Sequence, residues 1–498
     1  MSKVGLVLLG ALAVARPAWA GGLEYPSPTT KGLGRGGAYL IGGNDPMGLA
    51  YNPASLSKID GRQLAINAQL AVLSACADLA GSYGRGSSGN VPTVFGQPAD
   101  FNAQELPKVC NDGLPSIVPS LVFAIRLPKG FSLAAGLLSP NALSTLKYGN
   151  SNGSIQNSDG TLLPSPTRYT LVESRLMEIW PTIGGSWTPK PWLSLGASFG
   201  WGMGFYNFTS YSAAIPGTSP ANDVRTKLNT QDLFIPVLNA GINLRPFRFL
   251  EFALALRWID SIRGGGTLDL RASDFGTNAE GGYVPHATRV DNAELQVPSR
   301  IKFSWGTRYV HFRAKHASKQ NKHDSMAQEL FDIELDLAYE LNSTIDAFKV
   351  NVPQGNSLVI EAFGAQAVNV PVPLQTVIPY QWNNQFTAHL GGDYNLIQNL
   401  LALRLGVSFE SRGVSPAYQN LTFMPAQRLG LHLGSTLRLG AWDLSVAFAH
   451  VFQETIEVSQ THAELEQVVA GSLSGSVINA GTYSAHFDIF ALGANFHF

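Results

Sequence analysis

The stretch ELQVPSRIKFSWGTRY, residues 294–309, alternates apolar and polar side chains along its length. The apolar set comprises Leu295, Val297, Ile301, Phe303 and Trp305, and the polar set comprises Glu294, Gln296, Arg300, Lys302, Ser304 and Arg308. A period of two is that of a β-strand, in which successive side chains point to opposite faces of the sheet. The stretch therefore predicts one strand with a continuous apolar face and a charged face.

The next alternating stretch carries the opposite charge. Its apolar face is formed by Phe331, Ile333, Leu335, Leu337 and Tyr339, and its polar face by Asp332, Glu334, Asp336 and Glu340. If the two strands are hairpin neighbours, a basic row lies beside an acidic row. Cross-strand pairs of opposite charge would then help to fix the register of the sheet.

The same pattern recurs along the chain and gives fourteen segments in all, at residues 61–73, 116–127, 130–148, 167–188, 192–208, 229–245, 249–272, 293–311, 327–345, 381–396, 399–412, 426–439, 441–456 and 483–498. Short turns alternate with long polar connections, except for one long basic turn at residues 311–325. This alternation is typical of outer-membrane barrels. Because so many segments carry an apolar face, we assign that face to lipid and predict an all-β fold, a 14-stranded antiparallel transmembrane β-barrel over residues 61–498.

The first residues and the composition agree with an exported membrane protein. Lys3, an apolar run and the sequence Ala18-Trp19-Ala20 predict a signal peptide at residues 1–20. No later run reaches the roughly 18 apolar residues that a transmembrane helix needs. Charged residues make up 14% of the chain, against about 25% in soluble proteins. Without a basic surplus, no nucleic-acid partner is expected, and we place the chain in the cell outer membrane of a Gram-negative bacterium.

Residues 21–60 do not alternate and are rich in glycine. About forty residues before the first strand must lie somewhere, and the lumen of a fourteen-stranded barrel is wide enough to hold them. Few charges and scattered apolar side chains such as Leu33, Leu40 and Met47 favour a packed plug (hatch) inside the lumen over a flexible periplasmic tail.

Two cysteines, Cys76 and Cys110, fall in one predicted loop. Export to an oxidising compartment favours a disulfide between them, with two free thiols as the alternative. The spacing of His311, His316 and His323 fits no standard metal site, so we expect no metal. We also expect no cofactor and no enzymatic activity, because no nucleophile motif is present.

The C-terminal residues alternate and close on Phe496 and Phe498. Alternate apolar residues before a terminal phenylalanine resemble the signal that the barrel assembly machinery recognises. We therefore expect this machinery to be a partner of the chain.

Several motifs, taken in order, resemble one family over the whole mature chain. Gly32-Leu-Gly34-Arg35-Gly36 and Asn52-Pro53-Ala54 resemble its plug motif, and Val118-Pro119-Ser120, Gly136-x-x-Ser139-Pro140-Asn141, Val297-Pro298-Ser299, Gly391-Gly392-x-Tyr394 and Gly481-x-Tyr483 resemble parts of its wall strands. The family is that of the outer-membrane long-chain fatty acid and hydrocarbon transporters of the FadL/TodX/OmpP1 type. The chain departs from it in the third strand, where the family usually has Pro-Phe-Gly in place of Ser139-Pro140-Asn141.

The resemblance implies transport of hydrophobic small molecules, first of all long-chain fatty acids, by a monomer in contact with outer-membrane lipid. The ligand binds in an apolar pocket and, under control of the plug, leaves sideways through the barrel wall. Pro140 offers a physical reason for an opening, because proline cannot donate to the ladder. We expect Gly136, Ser139, Pro140 and Asn141 to kink the third strand there, the alternative being that Pro140 only ends a short strand.

A carboxylate head group would require a cation inside the barrel. The basic residues expected on inward faces are Arg175, Arg257, Arg300, Lys302 and Arg308. Each is also a candidate for a structural ion pair with the acidic row.

Three alternative functions remain at this stage. Within the family, uptake of aromatic hydrocarbons is open, because apolar pockets tolerate both kinds of ligand. A general diffusion porin is the main rival from another class, but porins usually lack a glycine-rich plug of forty residues. A barrel-wall lipase needs only one serine and one histidine, which the sequence cannot exclude.

Overall fold

In the computed structural model the described residues are 27–83, 93–94, 97–98, 105–139, 144–156, 160, 162–214, 220, 223–273, 286–313, 324–361, 367–423, 426–469 and 475–498. The predicted signal peptide lies outside these residues, as do Pro140, Asn141, His316 and His323. The helices are α1 (Thr30–Gly34) and α2 (Ser325–Gln328), with 3-10 turns at Pro46–Ala50, Pro53–Lys58, Pro128–Gly130 and Pro416–Tyr418. Neither helix in this part of the chain has the length and apolar character needed to cross a membrane.

The remaining elements are strands: β1 (Arg62–Leu79), β2 (Thr93–Val94), β3 (Gln97–Pro98), β4 (Val109–Cys110), β5 (Ser116–Arg126), β6 (Phe131–Leu138), β7 (Ser144–Lys147), β8 (Ser154–Gln156), β9 (Leu162–Pro164), β10 (Glu173–Lys190), β11 (Leu193–Ala213), β12 (Asp223–Phe247), β13 (Leu250–Ile259), β14 (Ile262–Ala272), β15 (Ala287–Val297), β16 (Arg300–Phe312), β17 (Glu329–Glu340), β18 (Ala347–Asn351), β19 (Ser357–Glu361), β20 (Ala367–Pro371), β21 (Gln375–Pro379), β22 (Gln385–Ile397), β23 (Leu401–Glu410), β24 (Arg428–Leu439), β25 (Trp442–Gln453), β26 (Ile456–Val458) and β27 (Gly481–His497). Each wall strand pairs antiparallel with its sequence neighbours, and β27 also pairs with β1, which closes the sheet. The predicted 14-stranded antiparallel β-barrel is confirmed.

Seven wall strands are interrupted partway and consist of two consecutive elements. In the described part of the chain these are β4/β5, β6/β7, β13/β14, β15/β16, β17/β18, β21/β22 and β25/β26. Near the short turns, the wall shows exposed apolar side chains outside, such as Leu254, Phe303 and Leu405, and buried polar side chains inside. This is the arrangement of a wall that faces lipid.

Towards the long loops the pattern is reversed in three adjacent strands. Leu228, Leu268 and Leu295 are buried inside, while Lys227 and Arg289 are exposed outside. The reversal occurs at an irregularity in each strand: Leu233–Phe234 in β12, Asp260–Ser261 between β13 and β14, and Pro298–Ser299 between β15 and β16. We call these three positions the inversion band. A one-residue irregularity in a strand moves every later side chain to the other face.

The inversion band corrects the prediction for residues 294–309. A single strand with one lipid face was expected, but Pro298 and Ser299 divide the stretch into β15 and β16. Leu295 and Val297 are therefore buried inside the barrel, whereas Phe303 is half exposed on the outer face. On the short-turn side of the band, here called below it, apolar residues form the lipid-facing surface. On the long-loop side, here called above it, they line the interior of the barrel.

The structure joins Cys76 and Cys110 by a disulfide bond across a sequence separation of 34. The expectation that both lie in a loop is wrong: Cys76 belongs to β1, and Cys110 pairs opposite it in β4. Two residue pairs join β4 to β1, and the Asn111 N–H donates to the Ala75 carbonyl beside them at 2.7 Å, so the bond reinforces a short contact at this end of the connection.

We expect the double substitution Cys76→Ser and Cys110→Ser to loosen this connection and leave the barrel closed. A cross-link of this span contributes about 4 kcal/mol in the loop-entropy account, whereas β1 keeps its full pairing with β5 and β27. Limited proteolysis at Lys108 should become at least tenfold faster, while the folded barrel migrates unchanged on gels without heating. Unchanged cleavage at Lys108 would contradict the prediction.

Candidate functional site

An apolar pocket lies inside the barrel above the inversion band. It contains about 1420 Å³ of space between protein atoms, part of it open to solvent. Its walls include Leu171, Phe208, Leu228, Leu268, Leu270, Leu295, Phe348, Val350 and Ile378. Among the described residues that line it, only Glu466 carries a charge. We call it the outer pocket. Its lining suits the apolar part of a ligand and includes no basic side chain among the described residues.

Four aromatic rings pack together at one end of the outer pocket. The Phe348 ring centroid lies 4.4 Å from that of Tyr380 and 5.6 Å from that of Phe423. Trp382 contacts the same group, with its centroid 5.6 Å from that of Phe423. Phe348 and Tyr380 also line the pocket, so an apolar ligand would contact an aromatic surface there.

Residues 27–60, here called the N-terminal segment, lie inside the barrel and are almost entirely buried. Arg35 holds them to the wall: its guanidinium lies 2.9 Å from Asp332, 2.8 Å from Glu334 and 2.6 Å from Asp393. All three distances join an arginine nitrogen to a carboxylate oxygen of the wall. Removing one partner of a buried charge pair typically costs 3–5 kcal/mol, so Arg35 fixes the segment strongly.

Backbone amides of the segment bind the same acidic row. Tyr39 and Leu40 each donate an N–H to Asp336 at 2.9 Å, and Ile41 and Gly42 donate to Glu334 at 2.6 and 2.9 Å. The acidic face that the sequence predicted on β17 therefore contacts the N-terminal segment as well as the basic row.

A second anchor lies at the end of the segment. Lys58 Nζ lies 2.5 Å from a Glu251 carboxylate oxygen and donates to the Ile41 carbonyl at 2.7 Å. Burial lowers the pKa of Lys58 to about 8, although the attraction of Glu251 raises it. Lys58 was not predicted as a site residue, because the residues next to it in the sequence give no sign that its side chain is buried.

The motif residues of the segment meet the wall where the wall has glycine. A Cβ atom on Gly391 would lie 2.0 Å from the Arg35 carbonyl oxygen, and one on Gly406 would lie 2.1 Å from the Arg35 carbonyl carbon. A Cβ on Gly196 would lie 2.2 Å from the Ala54 nitrogen. These glycines allow the backbone of the segment to contact the backbone of the wall.

The other motif residues are also packed. The Asn52 side chain caps the turn that begins at Pro53 and donates to Asn243 at 2.6 Å. A Cβ on Gly32 would lie 2.2 Å from the Tyr51 hydroxyl, and one on Gly34 would lie 3.0 Å from Gly434.

Among the described residues, main-chain pairing between β5 and β6 ends in the middle of β5, and residues 140–143 of the third wall strand lie outside the described residues. The uppermost described pair between β5 and β6 is Leu121 with Leu137. The next recorded main-chain contact on this side joins the Asp112 N–H to the Lys147 carbonyl at 2.8 Å. On its other side, β6/β7 stays paired with β10 above and below the interruption. We call this stretch of wall the β5–β6 gap.

Of the residues expected to kink this strand, Gly136 still pairs with Val122, and β6 continues to Leu138. Ser139 is buried, and among the described residues its hydroxyl has no hydrogen-bond partner. Pro140 and Asn141 lie outside the described residues. The described part of the interruption therefore begins at Ser139.

One contiguous apolar cluster connects the outer pocket with the β5–β6 gap. It includes Leu295 and Phe348 of the pocket and Trp180 and Leu138 beside the gap. Met47 and Leu49 of the N-terminal segment belong to the same cluster. Apolar side chains are therefore in continuous contact from the pocket to the wall beside the gap.

The five basic candidates fall into different environments. Arg175 is wrong as an inward residue: it lies on the same face as the exposed Ile183, its side chain is 69% exposed, and it pairs with Glu173. Lys302 pairs with Glu340 at 2.7 Å.

The next two candidates serve the structure of the lumen. Arg308 pairs with Glu251, Glu329 and Asp332 at 3.3, 2.6 and 2.5 Å. Arg257 donates to the Ala50 carbonyl of the N-terminal segment.

Arg300 differs from the other candidates. It is the first residue of β16 and stands opposite the apolar Ile259, not opposite an acid. It is 8% exposed, and its guanidinium forms neither a hydrogen bond nor an ion pair with any described residue. Its neighbours Ile259 and, within electrostatic range, Tyr206 belong to the apolar cluster. A buried cation without a counter-charge is a candidate site for an anionic group.

A closed barrel with an apolar outer face and an apolar pocket inside is the architecture of an outer-membrane protein for hydrophobic substrates. The chain belongs to the family described as outer membrane protein transport protein (OMPP1/FadL/TodX), whose model matches residues 11–498. The family resemblance stated from the sequence and the outer-membrane location are confirmed.

Solved structures agree in fold. A FadL homologue from Pseudomonas aeruginosa is 15% identical, with 96% of this chain and 100% of that chain covered and a TM-score of 0.66. The toluene transporter TodX from P. putida is 14% identical, covering 96% and 99% with a TM-score of 0.60. The toluene transporter TbuX from Ralstonia pickettii is 14% identical, covering 95% and 99% with a TM-score of 0.54. A search of curated protein sequences finds no significant match.

Proposed function

We propose that this transporter carries long-chain fatty acids, binds them in the outer pocket and releases them sideways through the β5–β6 gap. The apolar cluster that runs from the outer pocket to the gap is the observation that carries the proposal. Burial of each methylene group contributes about 0.8 kcal/mol, so a long acyl chain favours apolar surfaces and the bilayer over a water-filled pore. A general diffusion porin is not favoured by this arrangement.

The N-terminal segment acts as the plug in this proposal. It contributes Met47 and Leu49 to the apolar cluster and closes the lumen below the pocket. Movement of these residues would open the way from the pocket to Leu138 and Trp180 at the gap. Arg35 and Lys58 hold the rest of the segment to the wall, so a local shift near Met47 is sufficient.

The carboxylate of the fatty acid binds Arg300 in this proposal. Arg300 lies among residues of the apolar cluster, and its guanidinium has no partner in the part of the chain that the structure describes, unlike Arg308 and Lys302, which are neutralised by acids of the lumen. A hydrogen bond to a charged group contributes about 1.5–3 kcal/mol. The other half of the ligand requires only apolar contact.

We expect Arg300→Gln to weaken oleate binding by roughly tenfold or more, from the loss of a charge-assisted contact. Binding of oleyl alcohol, which has the same chain without a carboxylate, should stay unchanged. Titration of the detergent-purified protein followed by native mass spectrometry measures both ligands, and Arg175→Gln on the outer face is the matched control. Equal affinity of the variant and the native protein for oleate would exclude Arg300 as the head-group site.

The same titration separates the two substrate classes. Tight oleate binding that depends on Arg300 supports fatty acids, whereas binding of toluene with no measurable affinity for oleate supports aromatic hydrocarbons. Steady ion conduction by the reconstituted protein, with neither ligand bound, would overturn the transporter proposal in favour of a porin.

Assembly of the barrel is proposed to use the C-terminal phenylalanines. Phe498 is 67% exposed, and its ring centroid lies 4.6 Å from that of Phe496 at the short-turn end of the wall. The two rings thus form an accessible apolar pair that a receptor of the assembly machinery can bind. The protein is proposed to act as a monomer without cofactor or catalysis.

A further inference from the structure

Two cations stand on the outer face of the barrel directly above the inversion band. Arg263 of β14 is paired in register with Gln296 of β15, and Gln296 is paired with Lys349 of β18. All three side chains point outward, because Ile262, Leu295, Phe348 and Val350, their neighbours along the strands, are buried inside. Adjacent strands lie about 4.8 Å apart, which separates the two cations by roughly 10 Å across the wall.

Within the described ranges, no acidic side chain lies within ion-pair distance of either cation. The side chains of Arg263 and Lys349 form no hydrogen bond with any residue that the structure describes, whereas the backbone N–H of Arg263 donates to Asp232 at 2.7 Å. The nearest acid along β15, Glu294, instead accepts a hydrogen bond from Gln296 at 2.9 Å. This part of the outer face therefore carries positive charge that can bind an anion.

An apolar hollow lies on the outer face of the same strands, below the two cations. Its walls are Leu254, Leu256, Phe303, Trp305 and Leu337, and the small Ala240 forms part of its floor. Leu256 and Arg263 are seven residues apart, which is roughly 23 Å along a strand and about 17 Å along the membrane normal for a typical tilt. One leaflet contributes about half of a hydrocarbon core of about 30 Å. The separation therefore matches an acyl chain below and its head group above.

We propose that Arg263, Gln296 and Lys349 bind a phosphate group of a phosphorylated lipid of the outer leaflet, whose acyl chain lies in the hollow. The inversion band positions both the apolar hollow and the cations. The lipid-facing apolar surface ends at the band, and polar side chains point outward directly above it. Phosphate chemistry suits the site, since arginine and lysine both bind phosphate oxygens and Gln296 adds an amide donor. This site is separate from the outer pocket and does not depend on the transported ligand.

The test is a titration of the full chain in detergent with lipid A and with the same lipid lacking its phosphates, measured by native mass spectrometry. Each basic residue near an anionic surface contributes about fivefold in affinity. The double substitution Arg263→Gln and Lys349→Gln should therefore weaken lipid A binding about 25-fold and abolish the preference for the phosphorylated lipid. Arg175→Gln, which removes an outward cation of β10 that is paired with Glu173, should change neither value.

A second variant tests the hollow. Ala240→Trp fills the floor and should weaken binding of both lipids by the same several-fold factor, leaving the phosphate preference intact. A double variant that keeps its preference for the phosphorylated lipid would overturn the site. Loss of the preference in Arg175→Gln to the same extent would also overturn it, because the effect would then be one of net charge.

Discussion

The double substitution Gly391→Val and Gly406→Val is expected to open the barrel to ions and large polar solutes. Each new side chain would occupy the position of the Arg35 main chain, at 2.0 Å from its carbonyl oxygen and 2.1 Å from its carbonyl carbon. Backbone on both sides leaves no flexible side chain that could move away. The segment around Arg35 must then leave its position, and Arg35 must leave its three carboxylates.

The displaced state is expected to persist, because the ion pairs cannot form again while the valines are present. Breaking buried charge pairs costs about 3–5 kcal/mol when one partner is removed, and Asp332, Glu334 and Asp393 all lose the same partner. We expect conductance in planar bilayers to rise at least tenfold, and cells carrying the variant to become sensitive to vancomycin, which is too large for the closed barrel.

The matched control is Gly265→Val. Gly265 is a strand glycine with no atom within 4 Å of a Cβ built on it, so its substitution should leave conductance and sensitivity unchanged. Arg35→Met supplies a second variant in which no atom collides with the wall; it should raise conductance by a smaller factor. A closed channel in both Gly391→Val/Gly406→Val and Arg35→Met would show that the segment does not block the lumen.

Alternation in the sequence was sufficient for the number of strands and their order. It was not sufficient to predict which side chains point into the barrel and which point outward. In β15/β16 the apolar residues from Leu295 to Trp305 keep one spacing, yet Pro298 and Ser299 place Leu295 inside and Trp305 outside. Period-two patterns report only that two faces differ, and a local irregularity decides which face is which on each side of it.

The lumen charges show a similar limit. The acidic face of β17 was predicted, and so was its proximity to basic residues, but the partners were not. Arg308 meets three acids, whereas Arg300 stands opposite Ile259 because the register of β13 brings no acid there. Which basic residues have an acidic partner can be decided only when the register of the neighbouring strands is known. Arg175 was misplaced because its position in the alternation of β10 was assigned wrongly.

Some contacts of the N-terminal segment did have a signal in the sequence. The motif Gly391-Gly392-x-Tyr394 contains two residues that contact Arg35. Gly391 leaves room for the Arg35 main chain, and Asp393, at position x, binds the Arg35 side chain. Lys58 had no comparable signal. Motifs therefore indicated where the backbone of the segment contacts the wall, whereas the anchoring role of Lys58 became visible only in the folded lumen.

The inversion band links the three surfaces of the molecule. Below it, apolar side chains outside the wall meet lipid, and polar side chains inside hold the N-terminal segment. Above it, the same alternation supplies the apolar lining of the outer pocket and the charged outer face. One change of register in each of three adjacent strands is therefore enough to place an apolar pocket on the long-loop side of the lipid-facing band, inside a wall that is polar outside.

Repair of the third wall strand is expected to stop release of the ligand without preventing its binding. The triple substitution Ser139→Val, Pro140→Val and Asn141→Thr restores a backbone donor and strand-forming residues between β6 and β7. β6/β7 could then pair with β5 from Leu121 towards Ser116, the stretch that now lacks such pairs among the described residues. Closure of the β5–β6 gap would remove the apolar exit beside Leu138 and Trp180.

We expect oleate uptake by cells that carry this variant to fall at least tenfold, while the affinity of the purified variant for oleate stays within about twofold of the native value. Binding should survive because the outer pocket and Arg300 are formed by other strands. Leu133→Val, a lipid-facing change in the paired part of β6, is the control and should leave uptake unchanged. Undiminished uptake by the repaired strand would place the exit elsewhere in the wall, and loss of binding together with uptake would mean that the third strand forms part of the pocket.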